Sequence, residues 1–214
     1  MILSFRIKQI IDGLLDWVEE DYEKNKEEDT FLYQMFNGVK NGKFDFYKQA
    51  KELFLRGDKS PRKIATTFEY PKDRASLPCI VVREASKKFV EEELSGIGYE
   101  YFTADPESSY GERESFIHLT NSNVNLMCFS DNTLESMMIG EVLYGLLYGA
   151  HNTFEEEFKS FSFSLSEIMM ENQIFPVPLI IKNITMELKY GERFASIASG
   201  NIIKDAEFDL NVIK

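Results

Sequence analysis

Hydrophobic positions along the chain change period near residue 60, from the 3.6 of helices to the 2 of strands. Over residues 5–22, apolar side chains fall at 7, 10, 11, 14, 15, 17 and 18, opposite an acidic face that ends in Glu19, Glu20 and Asp21. That stripe predicts an amphipathic first helix. Residues 23–30 are a charged connector, best read as a solvated turn. Residues 31–36 form a second apolar patch, stopped by Asn37-Gly38 and Asn41-Gly42. Residues 44–55 predict a helix with Phe46, Ala50, Leu53 and Phe54 inward, closed by a turn at Arg56-Gly57-Asp58.

Beyond that point Ile64, Thr66, Phe68 and Tyr70 alternate with Ala65, Thr67 and Glu69, predicting a strand over 63–70 that Pro71 ends. A second strand is expected over 77–82, with Pro78 at its start, where a missing donor is tolerated. Residues 84–112 are polar, with Gly96, Gly98, Pro106, Ser108 and Gly111, and predict a long protruding loop or hairpin with a short aromatic strand over 99–103. Strands over 114–120 and 124–129 follow, joined by a tight turn at Asn121-Ser122-Asn123.

Asn132, with Glu135 three positions on, has the spacing of a capping box and starts a helix that reaches about Tyr148. Leu134, Met137, Met138, Val142, Leu146 and Leu147 make its stripe. Gly140, Gly145 and Gly149 each cost about 1 kcal/mol relative to Ala there, so they mark either close approach of another element or a weakened helix. Residues 152–171 read as a helical hairpin or an irregular segment with Phe154, Phe158, Phe161 and Phe163 inward. The longest alternation follows: Ile180, Ile184, Met186, Leu188 and Tyr190 face one way, and Asn183, Thr185, Glu187 and Lys189 the other. Residues 201–213 alternate again. The expected fold is therefore α/β (α+β): a mixed, largely antiparallel sheet covered by helices. A single domain over 1–214 is expected, with a helical N-terminal region over 1–60 and a sheet-and-helix body over 61–214 carrying the protruding loop 84–112.

Composition narrows the function. A chain of 214 residues with 18 Phe and 10 Tyr has too much aromatic surface to stay unfolded. Its 36 Asp and Glu against 24 Lys and Arg give a net charge of -12, which disfavours a general binder of nucleic acid or anionic membrane. Two cysteines, Cys79 and Cys128, lie in apolar runs and are expected as buried core thiols in a reducing compartment. No membrane span and no secretory leader is expected, since Arg6, Lys8, Asp12 and Asp16 interrupt the N-terminal apolar run. An intracellular soluble protein is the expectation.

No catalytic cluster stands out. Gly96-Ile-Gly98 lacks the remainder of a phosphate-binding loop, and neither His118 nor His151 sits in a metal-ligand spacing. Consecutive acids such as Glu91–Glu93 and Glu155–Glu157 point in different directions and read as solvated surface. No enzyme activity, catalytic residue, metal or cofactor is therefore expected. The long aromatic-bearing loop and the alternating sheet point instead to a protein that contacts copies of itself and neighbours.

The order of these motifs resembles the neck and tail-terminator proteins of tailed bacteriophages. It is carried by the amphipathic N-terminal helix, Lys63-Ile-Ala-Thr-Thr-Phe68, Leu77-Pro-Cys-Ile-Val-Val82, and the long polar excursion. Val124-Asn-Leu-Met-Cys-Phe-Ser-Asp-Asn-Thr-Leu-Glu135 leading into a helix, and Pro178-Leu-Ile-Ile-Lys-Asn-Ile-Thr-Met-Glu-Leu-Lys-Tyr-Gly-Glu192, complete it. The resemblance implies a structural virion protein that assembles as a ring, usually a hexamer, at the neck. Such a ring ends the tail and joins it to the head-side connector. Its partners would be other neck, connector and tail-tube proteins, with DNA passing through the lumen without specific binding and no membrane involved. The loop residues Ile97, Tyr99, Tyr101, Phe102 and Tyr110 are the expected subunit or partner interface, by strand addition through 99–103. The alternatives from other classes are a metal-dependent enzyme with an acidic site and a cytosolic adaptor.

Overall fold

A computed structural model describes residues 2–55, 64–89, 115–170 and 179–195. The chain divides into two compact units, one of residues 1–88 and 121–190, the other of 89–120 and 191–214. The first unit holds the helices and most of the main sheet, and its architecture is α+β.

The N-terminal helix α1 runs Leu3–Lys24 and buries Leu3, Ile7, Ile11, Leu15 and Val18, one residue per turn along a single stripe. Trp17, expected inward, is instead 47% exposed and meets Phe31 edge-on at 5.9 Å. It sits one position off the stripe. The connector is a single turn, Glu27–Asp29, held by Glu27, which accepts from Tyr47 Oη at 2.7 Å and from Lys51 Nζ at 2.9 Å. Helix α2 is Phe31–Phe36, and the Asp21 carboxylate of α1 accepts its first backbone N–H at 2.7 Å. A two-residue hairpin, β1 (Lys40–Asn41) and β2 (Phe44–Asp45), turns at Gly42 with φ +59°. Helix α3, Phe46–Phe54, is capped by Asp45, whose side chain accepts from Lys48 N, and buries Ala50, Leu53 and Phe54 as expected.

Among the described residues the main sheet has five strands: β3 (Ala65–Thr67), β4 (Cys79–Phe89), β5 (Ser115–Phe129), β6 (Ser160–Met170) and β7 (Leu179–Ala195). Their order is β3-β4-β5-β7-β6. β3 and β4 pair in parallel, whereas β6 and β7 pair antiparallel, so the sheet is mixed. β5 leads into helix α4 (Thr133–Gly149), and α5 (His151–Glu157) leads into β6. Ile80, Val82, Val124, Leu126, Cys128, Ile184, Met186, Leu188 and Tyr190 meet the helices in one core. On the opposite face Cys79, Val81, Met127, Phe129 and Ile181 form a smaller cluster.

Four expectations are corrected. The strand expected over 63–70 is confined to 65–67. β4 continues to Phe89, so the first residues of the expected loop 84–112 are strand. The turn expected at 121–123 does not form: β5 passes through it unbroken, because Ser122 is buried and donates to Glu84 Oε1 at 3.1 Å, leaving Asn121 and Asn123 on the other face. Finally, 152–171 is a helix followed by a strand. Phe161, Phe163 and Leu165 alternate with Ser160, Ser162, Ser164 and Ser166, which is period 2.

Candidate assembly surface

Among the described residues, strand β6 is outermost in the sheet and pairs with β7 along its whole length, from Ser160↔Lys189 to Met170↔Leu179. Its apolar side chains are held by the short helix before it. Phe154 of α5 is fully buried, with its ring centroid 5.5 Å from Phe161 and 5.0 Å from Phe163. Those contacts turn Phe161 and Phe163 towards the helices and leave the serines exposed. The one charged side chain of β6, Glu167, is neutralised across the register by Lys182 at 3.0 Å. The strand ends in exposed Ile168 and Met169.

A chain edge of this kind presents unpaired backbone N–H and C=O groups and is ordinarily blunted by proline, bulges or lysines. β6 has none of these through Met169. The other edge among the described residues, β3, is three residues long.

Beneath the start of α4 lies a buried polar junction. Asn132 caps the helix, its side chain accepting from Leu134 N at 2.9 Å, as the spacing predicts. Glu135 does not close a capping box. Its carboxylate is buried and accepts from Ser130 Oγ and, at 3.4 Å, from Gln49 Nε2 of α3, while Ser130 Oγ accepts the Asn132 N–H at 3.0 Å. Ser136 donates to the Cys128 carbonyl at 2.8 Å and accepts from Lys182 N at 3.1 Å, so it bridges β5 and β7. These groups tie α3, α4 and the sheet together and face one another.

The interface residues expected from sequence, Ile97, Tyr99, Tyr101, Phe102 and Tyr110, lie outside the described residues, as does the expected strand over 201–213. His118 is in β5, and its side chain is likewise outside them. His151 follows α4, contacts Glu155 at 3.3 Å and meets the Phe161 ring at 4.9 Å. Glu155 and Glu156 are exposed, whereas Glu157 pairs with Arg6 of α1. Among the described residues, no three His, Cys, Asp or Glu side chains converge as metal ligands, and no helix is long and apolar enough to cross a membrane. Both cysteines are buried free thiols, with burial pushing Cys79 up to about 11 and Cys128 higher still. The edge strand is not apparent from composition, although its Phe-Ser alternation is the signal that finds it.

Compared with models of known protein families and with curated proteins, the chain matches none.

Proposed function

We propose that this chain is a subunit of a ring at the neck of a tailed-bacteriophage virion, where it terminates the tail and joins it to the head-side connector. The observation that supports this reading is the coincidence of sequence motifs with structural elements in their order. The N-terminal motif is α1, Leu77–Val82 leads into β4, and the excursion separates β4 from β5. The Ser130–Glu135 segment then starts α4 at a capping Asn132, and the final motif is the long strand β7. A sheet backed by helices, with an unblunted edge strand, is also a surface suited to assembly.

Six copies would carry a formal charge of -72, six times -12. Acidic walls repel phosphates, so DNA would slide past rather than bind. The test is native mass spectrometry of the purified chain together with imaging of the virion. The expected result is a ring, with six as the expected number, and density for this fold at the top of the tail. A chain that never exceeds one copy and is absent from purified virions would overturn the proposal.

A further inference from the structure

The two edges of the main sheet differ in shape, sequence and charge. β6 is an eleven-residue edge with its one charge neutralised, while β3 at the other end has three residues. Four interstrand spacings of about 4.8 Å put the edges ~19 Å apart. In the α5-β6 stretch, residues 151–170, Glu157 and Glu167 are paired with Arg6 and Lys182, which leaves exposed Glu155 and Glu156 against Lys159. The β3-β4 stretch, residues 64–88, carries five cations, Lys72, Arg74, Arg83, Lys87 and Lys88, against three acids. In a chain with a net charge of -12, one side of the sheet is therefore net positive and the opposite side net negative.

We propose that β6 pairs edge to edge with a second copy of this chain, adding to the β3 side of the neighbour's sheet so that copies run head to tail. Backbone N–H and C=O groups of β6 supply the pairing and the opposed charges supply its direction. A contact between unlike edges is heterologous, and such contacts close into rings when the rotation between copies permits, whereas β6 against β6 would stop at a dimer. The inference deepens the ring reading and rests on it for the requirement of closure.

Cysteine pairs test it in the full chain, because Cys79 and Cys128 are buried and give little background. Ser164 on β6 and Ala65 on β3 are both exposed. The double variant Ser164→Cys with Ala65→Cys, treated with a short bis-maleimide, should give a ladder of dimer, trimer and higher species, whereas Ser164→Cys alone should give none. A second variant avoids the edge itself: Glu155→Lys with Glu156→Lys on exposed α5 should weaken self-association about fivefold or more at low salt, and less at high salt. Efficient dimers from Ser164→Cys alone, or no ladder at any protein concentration, would overturn the edge contact. The two readings separate cleanly. A ring by mass that fails to cross-link sinks the edge pairing and spares the neck assignment, while a cross-linked ladder from a chain absent from virions does the reverse.

Discussion

A Cβ built on Gly140 of α4 would lie 2.6 Å from the Lys182 Cβ of β7, closer than any real pair of such atoms. The helix rests on the strand at this point, and Ser136, one turn earlier, accepts from the Lys182 N–H. The atom in the way is next to the strand backbone, so it cannot swing aside. Gly140→Ala should therefore lose more from overpacking, about 1–3 kcal/mol, than the roughly 1 kcal/mol that alanine adds to helix propensity. Gly13 of α1 meets nothing within 4 Å, so Gly13→Ala should gain up to about 1 kcal/mol. Urea midpoints compare the two. Equal stabilisation by both would show that α4 and β7 do not touch there.

The buried Glu135 carboxylate makes its neighbours dependent on it. Glu135→Ala removes the acceptor for Ser130 Oγ and Gln49 Nε2 and opens a void against α3, which should cost about 2–4 kcal/mol. Glu135→Gln keeps the volume and one acceptor and should cost about 1 kcal/mol or less. Chemical denaturation of the two variants decides. If Ala is tolerated as well as Gln, the junction adds nothing to stability.

Where one face of an element is buried and nothing competes, the pattern was legible. The stripe of α1, the alternation from Ile184 to Tyr190 and the Asn132 cap follow from spacing and residue type, whereas the glycines of α4 left close approach and a weakened helix open, and only the packing at Gly140 decides between them. Two of the failures have a common cause, which is tertiary contact overriding local composition. Asn121-Ser122-Asn123 has the makeup of a turn, but Glu84 and Tyr190 give the Ser122 hydroxyl partners inside the sheet and hold the segment extended. Four serines on the exposed face of β6 hid a strand whose other face is ordered by Phe154, a residue the sequence puts on a helix.

Burial of the thiols sets a pH dependence. Cys79 ordinarily titrates at 9.0 and is held up to about 11 in the fold. Above pH 9 the unfolded chain loses this proton while the folded chain keeps it, so stability is constant below pH 9 and falls between 9 and 11. Two units correspond to about 3 kcal/mol at most. Cys128, pushed further up by burial and then by Cys79, and Tyr47, raised to about 12 by burial and then by its hydrogen bond to Glu27, act in the same direction. Urea midpoints from pH 8 to 11 should fall in the parent chain and fall less steeply in Cys79→Ala. An unchanged slope would rule out the thiol as the source. At pH 8 neither thiol should react with a disulfide reagent until the chain is unfolded.

Arg6 of α1 and Glu157 of α5 join the first and last helices of the described residues. The Arg6 Nε donates to Glu157 Oε2 at 2.8 Å and Nη2 donates to Oε1, a two-point contact across 151 positions of sequence. That hydrogen bonding, followed by the attraction of the carboxylate, holds the guanidinium above its ordinary value. Both side chains are partly solvated, at 38% and 23%, so water and salt screen much of the Coulomb energy. A double-mutant cycle with Arg6→Ala and Glu157→Ala should give a coupling of about 0.5–1.5 kcal/mol at low salt, because bidentate pairs exceed ordinary surface pairs. The coupling should shrink by roughly half in 1 M NaCl. Because α5 also positions Phe154 under β6, Glu157→Ala should speed amide exchange in β6 more than in β4. Identical exchange in the two strands would mean that α5 is held by its phenylalanines alone.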